Sequence, residues 1–127
     1  MRGKCVLIVD DMIDTGGSLS KAVELLLREG AIKVCACITH GVLSGAAYTK
    51  IENSKLTTLY VADTLPVPET KEWLEPQYDA EGNFLNMLSK GVLARPAKIK
   101  VVSCAPILAK VITAIKEQTS IHERLEY

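Results

Sequence analysis

Two rhythms of apolar and polar residues alternate along the chain. Cys5-Val6-Leu7-Ile8-Val9 is an unbroken apolar run rich in β-branched residues. Such a run predicts a strand covered on both faces and internal to a parallel sheet. Apolar residues then recur at Leu19, Ala22, Val23, Leu26 and Leu27, the spacing of one helix face, with Gly30 placed to end that helix. Residues 34–39 predict a second strand, residues 46–52 a short helix and residues 56–62 a third strand. The order β-α-β-α-β with short connections predicts an α/β fold, a parallel sheet with flanking helices. In such a sheet, ligands bind at the carboxyl ends of the strands.

From residue 67 to 97 neither rhythm persists. Pro68, Pro76 and Pro96, with Gly82 and Gly91, interrupt the stretch, and Trp73, Tyr78 and Phe84 are scattered through it. The expectation is an irregular insertion at 67–97 on the periphery of the sheet, with one short helix over 84–88. Its aromatics fit a satellite core or an interface patch equally well. Order returns with a fourth strand over 99–102. Ser103 then stands as N-cap, with Pro106 in the first turn of a helix whose Ile107, Leu108, Val111, Ile112 and Ile115 share a face. Residues 118–127 read as a short strand or a tail.

Length and composition narrow the classes. The 127 residues fit a single domain, 1–127, and 48% hydrophobic against 24% charged residues suffice for an ordinary core. Fifteen basic residues balance fifteen acidic ones. That balance speaks against nucleic acid or a membrane surface as partner. No apolar run is long enough for a bilayer span and no secretory leader is evident, so the expected location is cytoplasmic. Cys5, Cys35, Cys37 and Cys104 lie in apolar segments without a Cys-x-x-Cys pair, and are expected as buried, reduced thiols. His40 and His122 lack zinc-site spacing, so no protein metal site is expected.

The chemistry concentrates after the first strand, in Asp10-Asp11-Met12-Ile13-Asp14-Thr15-Gly16-Gly17-Ser18. Gly16 and Gly17 permit positive φ and close approach of backbone to a ligand. Thr15 and Ser18 supply hydroxyl donors, and the free N–H groups opening the next helix suit an anion. Asp10, Asp11 and Asp14 would repel a phosphate. They suit acceptance from sugar hydroxyls, or a cation beside the anion. The combination predicts a cradle for a phosphorylated polyol. Elsewhere, His40 is expected as a hydrogen-bonded structural histidine. Ser44-Gly45 is expected to cap the short helix, with a phosphate contact as the alternative.

The stretch from Val6 to Ser18 resembles the phosphoribosyl-binding signature of type I phosphoribosyltransferases. Thr39-His40-Gly41-Val42-Leu43-Ser44-Gly45-Ala46-Ala47, Val61-Ala62-Asp63-Thr64-Leu65-Pro66 and Val101-Val102-Ser103-Cys104-Ala105-Pro106-Ile107-Leu108-Ala109 are similar to segments of one branch, the ribose-phosphate pyrophosphokinases. The resemblance implies a phosphoribosyltransferase-like domain that forms the C-terminal part of a larger two-domain enzyme. It implies transfer of pyrophosphate from ATP to the 1-hydroxyl of ribose 5-phosphate with Mg2+, in a homo-oligomer. It places Asp14, Thr15, Gly16, Gly17 and Ser18 around the 5-phosphate, with Asp10 and Asp11 on the ribose hydroxyls. The family's ATP pocket and catalytic basic residues have no counterpart here, so the resemblance assigns this chain no catalytic residue and implies that alone it binds without turnover.

Three other readings compete. A non-catalytic regulatory relative typically lacks the Asp-Thr-Gly-Gly loop that this chain keeps. A nucleobase phosphoribosyltransferase is disfavoured by the 40–45 segment. A phosphoacceptor receiver domain would use the Asp10-Asp11 pair for Mg2+ and Asp63 as acceptor, but it needs regular β-α units where residues 67–97 stand.

Overall fold

The computed structural model describes residues 2–125, the side chain of Trp73 excepted. Four strands form one parallel sheet: β1 (Cys5–Ile13), β2 (Lys33–Gly41), β3 (Thr58–Ala62) and β6 (Ile99–Val102), in the spatial order β1-β2-β3-β6. Helix α1 (Gly17–Arg28) links β1 to β2, and α2 (Ala47–Asn53) links β2 to β3. The α/β expectation and the parallel sheet with flanking helices therefore hold.

Strand alternation decides what is covered. Val34, Ala36 and Ile38 of β2, Leu59 and Val61 of β3 and Ile99 of β6 are buried, and cluster with Val23 of α1 and Ala47, Tyr48 and Ile51 of α2. Each fully buried Val, Leu or Ile among them contributes about 1.5–3 kcal/mol by leaving water. The intervening residues are bare: Leu7 is 58% exposed and Val9 74%, and Tyr60 and Val102 are also exposed. This corrects the expectation for the first strand. β1 is the edge strand of the described sheet: Val6 and Ile8 pack on the core while Leu7 and Val9 are bare, and the opposite face becomes covered only at Ile13. It also runs past the apolar segment to Ile13, because Met12 and Ile13 still pair with His40 and Gly41.

The thiols follow the same alternation. All four are free, but none is buried: Cys5 and Cys37 are exposed, Cys35 and Cys104 half-buried. Cys5, Cys35 and Cys37 share the parity of Leu7 and Val9, which puts them on the bare face.

The segment expected to be irregular is a regular antiparallel hairpin, β4 (Thr70–Tyr78) and β5 (Phe84–Ala94). Residues 84–88 are extended, not helical. Register shifts at Trp73/Leu74 and Gln77/Tyr78 hide the strand alternation from a period-two reading. The pairs Tyr78–Phe84, Pro76–Met87 and Leu74–Ser89 share one face, and Gln77–Asn86 and Glu75–Leu88 the other. Tyr78 and Phe84 meet edge to face with centroids 6.2 Å apart, and Lys90 pairs with Glu75 at 3.0 Å. The root is fastened to the domain. The Tyr48 hydroxyl donates to the Pro68 carbonyl at 2.7 Å, and Arg95 Nη1 donates to the Val67 carbonyl at 2.8 Å. Burial pushes the Tyr48 phenol pKa up, partly offset by the Arg95 charge.

After β6, α3 (Ala105–Lys116) packs on the short α4 (Ile121–Leu125), with Ala114 buried. Residues 121–125 are thus helical where a strand or tail was expected; residues 126–127 lie outside the described residues. Ser103 is not the N-cap. Cys104 occupies that position without a side-chain cap bond, while Ser103 Oγ accepts from the Ala105 N–H at 3.2 Å.

Candidate functional site

The carboxyl ends of β1, β2, β3 and β6 lie along one edge because all four strands are parallel. At the β1 end, the chain leaves Ile13, turns through Asp14 and Thr15, and enters α1 through Gly16. Gly16 is buried with φ +73°, the left-handed conformation that a side chain disfavours, and a Cβ there would stand 3.4 Å from Ile51 Cγ1. Gly17 needs no positive φ and is the first helical residue. Since Gly16 has no side chain, no side-chain oxygen at the N-cap takes up the first-turn amides of α1. The Gly16 carbonyl is already occupied, by the N–H of Ser20 at 3.0 Å and its hydroxyl at 2.9 Å.

Over this turn lies a cavity of about 360 Å³. Asp10, Asp14, Thr15, Gly16, Gly17 and Ser18 all line it, so six of the seven sequence-predicted residues converge. Asp11 does not. It has the parity of Leu7 and Val9, on the bare face of the sheet, and its N–H donates to Asp10 Oδ1 at 2.9 Å. The apolar wall was missed: Ile8, Met12, Ile13, Leu19, Ala22 and Ile38 complete the lining. Period-two counting from Asp10 through Ile8 and Met12 was the available signal for part of it.

Ser44 neither caps α2, whose N-cap position is Ala46, nor stands apart from the turn. Its hydroxyl donates to Asp14 Oδ1, across thirty residues of sequence. His40 matches its structural expectation. The Thr64 hydroxyl donates to the Thr39 carbonyl at 2.7 Å, so the 2.8 Å contact between His40 Nδ1 and Thr64 Oγ1 has the ring nitrogen donating.

Asp63, the phosphoacceptor of the receiver reading, is occupied with α3. Bonds from the Ser103 hydroxyl and the Cys104 N–H, the latter at 2.7 Å, hold its carboxyl below the usual carboxylate range. A depressed folded-state pKa means that this contact stabilises the fold above the unfolded carboxylate pKa and is lost as pH falls through the lower folded value. On acid titration the Cys104 amide resonance should therefore move with a midpoint below that of a free aspartate; a midpoint at or above it would contradict the contact.

Among the described residues, no three His, Cys, Asp or Glu side chains converge as a metal cage. Asp14 is engaged by Ser44, and Asp11 lies outside the cavity. The Mg2+ that the resemblance implies would therefore find no ready-made three-donor cage among the described residues.

Comparison with known proteins bears on the fold and the family. The solved phosphoribosylpyrophosphate synthetase from Mycobacterium smegmatis superposes with a TM-score of 0.65 at 32% identity, over 92% of this chain and 32% of that one. That match defines the fold as phosphoribosyltransferase-like. A family model described as the phosphoribosyl synthetase-associated domain matches residues 1–74. Ribose-phosphate pyrophosphokinases from Caldanaerobacter subterraneus and Clostridium acetobutylicum are 37% and 40% identical over 95% and 92% of the chain. The chain belongs to the ribose-phosphate pyrophosphokinase family. It spans about a third of the length of these relatives, 31% and 30%.

Proposed function

We propose that this chain supplies the ribose 5-phosphate site of a ribose-phosphate pyrophosphokinase, the enzyme that transfers pyrophosphate from ATP to the sugar 1-hydroxyl. The observation that supports the reading is the convergence of Asp10 and residues 14–18 on one cavity at the start of α1. Thr15, Ser18 and the backbone N–H groups of the turn would hold the 5-phosphate, which gains from the positive end of the helix. Asp10 would accept from the ribose hydroxyls; Asp11 drops out of that role. Ile8 and Met12, which flank Asp10 on the same strand face, and Ile38 would give the sugar an apolar flank.

Transfer of this kind rests on positioning and charge neutralisation, so a rigid sugar-phosphate cradle is part of the machinery. The ATP site, the accompanying Mg2+, a cytoplasmic location and assembly into a homo-oligomer belong to the same proposal. With no catalytic residue assigned here, the isolated chain is expected to bind ribose 5-phosphate and release no AMP from ATP. Titration calorimetry with ribose 5-phosphate and a coupled AMP assay test this. Heat without AMP release supports the assignment; no heat with ribose 5-phosphate, or turnover by the chain alone, contradicts it.

A further inference from the structure

The geometry points to Ser44 as a positioning residue for Asp14, and to Lys71 as the means by which the β4–β5 hairpin holds the loop that carries Ser44. The hairpin would thereby be coupled to the cradle although it lines none of the cavity.

The connection can be followed atom by atom. Asp14 sits in the exposed turn of the cradle, where a free carboxylate would sample several rotamers, some of them facing the anion. The Ser44 hydroxyl fixes one of its oxygens to the 42–46 loop. That loop is itself unusual. Leu43 has φ +50°, a strained conformation for a bulky non-glycine residue. Such strain persists only where the surroundings impose it. Here the Leu43 side chain is 2% exposed, and the N–H groups of Val42 and Leu43 both donate to the Ile13 carbonyl, at 3.0 and 3.2 Å.

The remaining polar groups of the two peptides are their carbonyls, and Lys71 takes both. Its ammonium donates to the Leu43 carbonyl and lies 3.4 Å from that of Val42. Lys71 is the second residue of β4, just beyond the Pro68 carbonyl that receives the Tyr48 hydroxyl. The hairpin root therefore holds the loop from one side, while the end of β1 holds it from the other. The consequence is electrostatic as well as geometric. With Asp14 tied to Ser44, its negative charge is kept from turning onto the amides that the anion needs.

The affinity half of the test rests on the proposed ribose 5-phosphate site, whereas the dynamic half does not. Amide hydrogen exchange of the ligand-free protein should show residues 14–18 exchanging several-fold faster in Ser44→Ala and in Lys71→Met. Residues 79–83 at the hairpin tip should be unchanged, and Ser44→Thr and Lys71→Arg should restore the parent rates. Ribose 5-phosphate affinity by calorimetry should fall roughly three- to tenfold in the first two variants and recover in the conservative ones, the scale of losing one ordinary hydrogen bond. The urea midpoint of each variant fixes whether global stability explains the change. Unchanged exchange at 14–18 in both Ser44→Ala and Lys71→Met overturns the inference. A response to Ser44→Ala alone overturns the part of the hairpin. Exchange changes that merely follow global stability overturn it as well. If the parent chain fails to bind ribose 5-phosphate, the functional proposal fails, and the exchange data still decide the coupling.

Discussion

Gly16→Val should abolish ribose 5-phosphate binding and lower stability by about 1–3 kcal/mol or more, the cost of holding a non-glycine residue in a sparsely populated backbone region. Gly16 has φ +73°, where a β-branched residue is a genuine outlier. The new Cβ would already stand in van der Waals contact, 3.4 Å from Ile51 Cγ1, and the two methyls beyond it need more room still. The backbone therefore has to move. Gly16 joins the Asp14–Thr15 turn to the first residue of α1, so movement there separates the amides that are proposed to hold the phosphate. Circular dichroism should still report an α/β protein, because neither β1 nor the body of α1 depends on that torsion. Retained affinity in calorimetry would remove the 14–18 turn from the site.

Leu59→Ala should cost about 2–5 kcal/mol, the range for truncating a buried leucine and leaving part of the cavity unfilled. Leu59 is fully buried on β3, opposite Ala36 of β2 and Ile99 of β6. Few neighbours can collapse into the gap, since β2 offers only an alanine beside it and the strands are pinned by their ladders. A loss of this size is a large share of a small domain's stability. Urea unfolding should show a lower midpoint at an unchanged slope. A change below about 1 kcal/mol would mean that the packed face is looser than the structure describes.

The parts of the fold that were legible in sequence are those decided locally. The helix over Leu19 to Leu27 declares its packed face by spacing. The apolar runs of β1, β2 and β3 declare a parallel sheet because each lacks the alternation of a half-solvated strand. That same lack misled on covering. Leu7, Val9 and Cys37 are as apolar as Val6, Ile8 and Ile38, yet they face outward, and composition carries no sign of it. The hairpin escaped because its bulges and Pro76 break the period of two. In the site, the turn from Asp14 to Ser18 was readable as a contiguous string. The hold of Ser44 on Asp14 was not, since it spans thirty residues and exists only once β2 lies beside β1. Asp11 was separable from Asp10 by parity alone, a simple count that the attraction of paired carboxylates obscured.

The unpaired margin of β1 has a practical consequence for handling the protein. Along this nine-residue strand, alternate residues present N–H and C=O groups away from β2 with no strand neighbour among the described residues, and no proline or bulge interrupts them. Asp10 and Asp11 are the charges within β1, and the molecule as a whole carries none in excess, with an isoelectric point near 6.7. Strand edges of this kind template further strands, and colloidal repulsion is weakest where net charge vanishes. Concentrated solutions near neutral pH should therefore cloud first, and a buffer one or two units away from the isoelectric point should keep the chains apart.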